Sequence, residues 1–268
     1  MNRPAHGFTL IEAVLVIAIT GTLAAIVAMF MRIPVEGYFD VSRRTALSDS
    51  ADGALRRMAR ELRAALPNSV RIASSGSDLY IEFLPVLAAG RYRESVESDG
   101  SGDPLLFSAS DTSFDILGTP ITVPTATSWL VVGNFGTSGA DVYAGDTRSA
   151  WTGTVGGTTS SASFSAIQFP QPSPNRRFYV VGQPVTFRCQ PGSSGTLSRF
   201  SGYGAPQTTQ PTSFSGSGNL LAQRVSACSV AYNAAATSRG GLVILSLTLS
   251  EAGESVALLN QVQVNNAP

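Results

Sequence analysis

The stretch Gly7-Phe8-Thr9-Leu10-Ile11-Glu12, continued as AVLVIAITGTLAAIVAMFM to Met31, decides how the rest of the chain is read. From Phe8 to Met31 every residue is apolar or small except Glu12, the single charge. Roughly two dozen such residues make a helix of about 36 Å, enough to cross the hydrocarbon core of a bilayer. A soluble core helix carries a polar stripe at helical spacing, and this segment has no such stripe. The stretch therefore reads as a membrane span.

Two details set it apart from an ordinary signal sequence. A secretory signal has a shorter apolar core and places its small-residue cleavage site after that core. Here the small residue, Gly7, precedes the core, behind the short segment Met1-Asn2-Arg3-Pro4-Ala5-His6. The second detail is Glu12. A carboxylate within a span costs up to about 2.5–3.5 kcal/mol at the helix centre and less near its end, so it is a candidate functional group whose partner should be named. The alternative is an interfacial carboxylate that reaches to the headgroups.

Short basic leader, Gly, Phe-Thr-Leu-Ile-Glu and apolar helix, in that order, resemble the type IV prepilin family, which includes pilins and the pseudopilins of type II secretion. The resemblance implies cleavage between Gly7 and Phe8 by a prepilin peptidase and N-methylation of the new Phe8 amine. It also implies that Glu12 docks against the Phe8 amine of a neighbouring subunit, which supplies the partner for the carboxylate. Leader 1–7, span 8–33, amphipathic helix 34–66 and β-rich domain 67–268 follow as expected divisions.

Composition narrows the function. The chain has 268 residues, zero formal net charge and 18 basic residues, all of them arginine. The neutral balance argues against bulk nucleic-acid binding. The single histidine, His6, lies in the leader, so the mature chain cannot form a Ser-His-Asp or Cys-His site. Without lysine there is no phosphate-loop lysine and no Schiff base. The sequence therefore predicts a non-enzymatic protein. Cys189 and Cys228 are the only cysteines, and beyond a membrane span they read as one disulfide joining strands 185–190 and 228–232. Arg32, Arg43 and Arg44 follow the span while Arg3 precedes it, which taken alone favours the opposite orientation. Glu36 and Asp40 lie among those arginines, and large domains translocate largely regardless of charge.

Past the span, Pro34 and Gly37 are expected to kink or loosen the helix. Leu47, Ala51, Leu55, Met58, Leu62 and Ala65 recur at steps of three and four and form one apolar face. Arg56, Arg60 and Arg63 point elsewhere, and Asp52 with Arg56 forms an i,i+4 pair. Pro67 places the helix end at Leu66. Candidate strands are 70–74, 79–84, 113–117, 129–133, 165–169, 178–181, 185–190, 228–232, 242–249 and 256–264, with 242–249 central. Segments 133–163 and 191–218, rich in Gly, Ser, Thr and Pro, read as surface loops. In Glu97-Ser98-Asp99-Gly100-Ser101-Gly102-Asp103, the alternate positions Asp99, Ser101 and Asp103 imitate the start of a calcium loop. The bidentate glutamate of such a loop is missing, and a polar acidic turn is the other reading.

The segments ALRRMARELRAALPNSVRI, VTFRCQ and GLVILSLTL, with the closing NNAP, resemble the O-type minor pilins of the mannose-sensitive haemagglutinin (MSHA) pilus. The J-type pseudopilins and W-type minor pilins share part of the pattern. The predicted fold is α+β, a long N-terminal helix packed on an antiparallel sheet with large loop insertions. The resemblance implies a subunit that primes or caps a filament near its tip. Its partners would be other minor and major pilins and the inner-membrane assembly platform. It would start as a single-pass inner-membrane protein with a periplasmic domain and end in the extracellular pilus. A binding module for adhesion or DNA uptake, using loops 133–163 and 191–218, is the second class.

Overall fold

A computed structural model describes residues 7–216, 218–237 and 240–267, with side chains at 32–36 and 235–239 left aside; Arg3 and His6 lie outside the described residues. Helix α1 (Leu10–Arg63) is followed by β1 (Arg71–Ser75) and β2 (Asp78–Phe83). The chain then runs through β3 (Val86–Tyr92), β4 (Asp111–Leu117), β5 (Ile121–Thr122), β6 (Trp129–Val132), β7 (Arg148–Ala150), β8 (Thr158–Thr159), β9 (Ser161–Ile167) and β10 (Arg177–Val181). It returns with β11 (Val185–Gln190), β12 (Thr196–Ser201) and β13 (Asn219–Gln223), and closes with β14 (Val225–Thr237), β15 (Gly240–Glu251) and β16 (Glu254–Asn265). The α+β class with a long N-terminal helix is as the sequence predicts.

Helix α1 is continuous over 54 residues, about 80 Å at the usual rise. It continues through Pro34 and Gly37, so the expected loosening there does not end it. Its lower half buries Leu47, Ala51, Leu55, Met58 and Leu62 of the predicted stripe and adds Ala54 and Ala59; Ala65, past the helix end, is buried as well. Arg56, Arg60 and Arg63 are exposed, and Arg56 Nε meets Asp52 Oδ2 at 2.7 Å. The helix ends at Arg63, three residues before the expected point. The reason is tertiary: Leu66 N–H donates to Leu84 O at 2.8 Å, Val86 N–H to Ala64 O at 3.3 Å, and Ala65 bridges Pro85. Backbone pairing to the chain beyond β2 outbids the last helical turn.

Where one sheet was expected, the described residues form three substantial ones and a two-stranded ribbon. Strands β14, β15 and β16 form an antiparallel sheet with β15 in the middle, as predicted for 242–249. Strands β1-β2-β11-β12-β13 form a second. The helix stripe packs against both, and these elements share one core containing Phe83, Phe187, Leu245 and Val262. Glu61 clamps the helix to β12 by accepting from Arg199 Nε at 2.8 Å.

The third sheet, β7-β6-β10-β3-β4-β9, lies wholly between β2 and β11 in sequence, yet those two strands are direct neighbours, Phe83 opposite Val185. The residues between them thus leave and re-enter one sheet at adjacent points. They bury an aromatic core of their own: Phe114 meets Phe178 at 5.1 Å and Phe164 at 5.7 Å between centroids, with Tyr92 and Phe169 beside them. This corrects the reading of 133–163 as a surface loop. Val142, Tyr143, Trp151 and Ala162 in that segment are buried, and β7 and β8 cross it. Segment 191–218 likewise contains β12, an internal strand.

Strand β3 is central in the third sheet and carries Gly90 opposite Phe178. A Cβ on Gly90 would lie 2.7 Å from Phe178 Cε1, in a fully buried ring packed on Phe114. Gly90→Ala is expected to destabilise the protein by about 1–3 kcal/mol through overpacking. A thermal melt matching that of the parent would show that the ring yields.

Candidate processing and assembly site

Thr9 has extended backbone and caps α1, its Oγ1 accepting from Glu12 N–H at 3.3 Å. Thr9 and Glu12 therefore stand at the N-cap and third helical positions, the spacing of a capping box, and Glu12 places a carboxylate at the positive end of the helix. This local role for Thr9-x-x-Glu12 was legible in the sequence and passed over there. Gly7 and Phe8 lie just before the cap in non-helical backbone, and Phe8 is 73% exposed. The bond between them sits immediately outside the first helical turn, in exposed chain.

Among the described residues, the helix from Leu10 to Met31 is buried against nothing else. Leu10 is 84% exposed, Ile11 75% and Phe30 77%, and the segment has mean hydropathy 2.5 over its best window. An apolar surface of that extent needs a bilayer or other apolar helices around it. Thr20 and Thr22 turn their hydroxyls back onto carbonyls of the preceding turn, at 2.7 Å to Val16 O and 2.9 Å to Ile19 O, so no polar group on them is left for lipid to solvate.

At the lower end of the helix the chain turns through Pro67-Asn68-Ser69. Asn68 takes the left-handed conformation, φ 59°, which asparagine tolerates better than most residues. Its amide donates to Asn134 O at 2.9 Å and to Asn266 O at 3.1 Å. Asn266 in turn donates to Tyr232 Oη at 3.0 Å and Ala234 O at 2.8 Å. Asn134 Nδ2 donates to Pro67 O at 2.7 Å, and Tyr143 Oη donates to Ser69 O at 2.8 Å. The LPNS turn and the NNAP tail, distant in sequence, are thus clasped together. Burial and the nearby Glu82 charge push the Tyr143 hydroxyl up, so it stays a donor.

Next to this clasp, Arg71 bonds Glu82 through Nε at 3.1 Å and Nη2 at 2.7 Å. Its guanidinium lies 3.6 Å from the Tyr143 ring centroid and also donates to Gln207 O and Thr208 O, each at 2.8 Å. Glu82 is fully buried, and burial raises its carboxyl above the ordinary value while Arg71 pulls it down.

Cys189 on β11 and Cys228 on β14 are bonded, with Cα atoms 6.7 Å apart, joining the two predicted strands, which here lie in different sheets. Asp99, Ser101 and Asp103 share one turn, and their side chains are engaged within it and with β4. Asp99 Oδ1 accepts from Ser101 N and Oγ, and Asp103 Oδ2 accepts from Ser113 Oγ at 2.6 Å. Among the described residues no three His, Cys, Asp or Glu side chains are grouped to hold a metal ion.

Residues 2–28 match the family model described as the prokaryotic N-terminal methylation motif. With the exposed apolar helix and the cap at Thr9, this match supports a protein of the type IV pilin kind, a pilin or pseudopilin, that is processed by a peptidase, associates with a membrane and assembles with other pilins. Comparison with curated proteins and with solved structures gives no match.

Proposed function

We propose that this chain is a minor pilin that primes or caps a filament of the MSHA type at or near its tip. The observation that carries the reading is one helix with two fates. Its exposed upper half carries the methylation motif, and its lower half is built into a head with three buried apolar clusters among the described residues. A head of that bulk suits a subunit used a few times per filament better than one repeated at every position. The joining of the LPNS turn to the NNAP tail adds support, since these are the segments that carry the likeness to minor pilins. The role is structural and needs no catalytic group.

Under this reading Gly7–Phe8 is cut, Phe8 is methylated, and Glu12 receives the Phe8 amine of a neighbouring subunit. In an apolar surrounding that pairing outweighs an exposed surface bridge. Mass spectrometry of the protein from cells with active prepilin peptidase is expected to give a mature chain beginning at methylated Phe8. An intact Met1 start would overturn the reading. Glu12→Ala and Glu12→Val are expected to leave cleavage near normal while reducing co-purification with partner pilins and the number of filaments. Unchanged complex formation in both would reduce Glu12 to an interfacial carboxylate that reaches to the headgroups.

A further inference from the structure

The third sheet presents a groove of about 420 Å³, open to solvent, where its face meets the end of β16. Its lining is Ala89, Gly90 and Arg91 of β3, Arg177 and Tyr179 of β10, and Asn265 of β16. Arg91 and Arg177 are directly opposed in the antiparallel register, so their Cα atoms are about 5 Å apart and both side chains rise from one face. Like charges at opposed positions destabilise a sheet. An acidic neighbour would relieve them, yet the nearby acids are committed: Glu94 to Arg176 at 2.8 Å, and Glu97 and Asp115 to Arg93 at 2.8 and 3.2 Å. Among the described residues neither Arg91 nor Arg177 makes an ion pair; Arg91 Nε donates only to Asn175 O at 3.3 Å. The Asn265 Oδ1 accepts from Ala267 N–H at 3.0 Å, which leaves its amide NH₂ as the group to donate.

We propose that this groove is a binding site for an oxyanion, with a carboxylate or phosphate group of the ligand seated between the Arg91 and Arg177 guanidiniums. Paired forks match two oxygens of either group, and charge-assisted bonds of this kind are the strong ones. The Tyr179 ring and Ala89 give the groove an uncharged floor, so the body of the ligand need not be charged. The clasp at Asn266 anchors the tail beside Asn265, which lines the groove together with the two arginines.

The test uses the full mature chain in detergent, titrated separately with inorganic phosphate and with succinate at constant ionic strength set by sodium chloride. A saturable rise in melting temperature is expected with at least one probe, and the probe that saturates at the lower concentration tells phosphate from carboxylate. Arg91→Gln and Arg177→Gln should each raise the half-saturating concentration about tenfold. Without the probe, each should melt at the parent temperature or above it, because the repulsion is gone. Arg60→Gln, on the exposed helix face, should keep the full response. No saturable rise with either probe, or a rise that survives in both groove variants, would overturn the site.

Discussion

Replacing Arg71 with alanine is expected to destabilise the head by about 3–5 kcal/mol, the usual cost of leaving one member of a buried ion pair uncompensated. Glu82 has a side chain 1% exposed, and Arg71 is its only cationic partner among the described residues. The loss should depend on pH. Because Glu82 titrates above the ordinary carboxylate value of 4.5, its protonated form favours the folded state. Removing Arg71 raises that value further. The deficit should then be largest at neutral pH and shrink as acidification carries Glu82 through its raised native value. Glu82→Gln placed on top of Arg71→Ala should recover much of the loss, since the amide carries no charge. Thermal melts of the full chain at a series of pH values decide it. A single variant as stable as the parent at neutral pH would show that the carboxylate is solvated and the pair contributes little.

Opening the disulfide should cost a similar amount. The bond closes a loop with a sequence separation of 39 residues, for which the chain-entropy model gives about 4 kcal/mol. Cys189→Ser and Cys228→Ser should each lower the melting temperature, and a reducing agent should bring the parent down to the same point without affecting the apolar helix. The bond joins the sheet of β11 to the sheet of β14 directly over the helix stripe, so its loss should also speed hydrogen exchange in β11 before it does so around Phe114. Labelling of both cysteines in native, unreduced protein would exclude the bond.

The helix stripe was legible because its apolar positions fall at helical steps, and every predicted stripe residue is buried. Strands such as β11 and β15 were legible because branched and aromatic residues mark them. Strand β3 was not: Val86-Leu87-Ala88-Ala89-Gly90 has little strand preference, and its place is set by Phe178 packing over Gly90. Strand β12 was hidden in a run of glycine and serine for the same kind of reason, its conformation coming from its neighbours β11 and β13. Cleavage motif and disulfide could be read because each depends on residue type and compartment. The contact of Asn68 with Asn266 spans 198 residues, and the opposition of Arg91 to Arg177 depends on register between strands; no local pattern encodes either.

The route of the chain between β2 and β11 has a consequence for how such a head could diversify. Departure and return lie side by side in one sheet, Phe83 against Val185, so everything between behaves as a cartridge plugged into a fixed socket. A short turn joining 83 to 185 would convert the two strands into a plain hairpin and leave the helix, its stripe and the disulfide in place. A descendant could enlarge, trim or exchange the cartridge without renegotiating how the helix meets its neighbours in a membrane or a fibre. The seam it would have to respect runs along the end of the helix and the turn after it: Ala64 and Leu66 bonded to Val86 and Leu84, the contact of Asn68 with Asn134, and the tyrosine at 143 that reaches back to Ser69 and lies against Arg71.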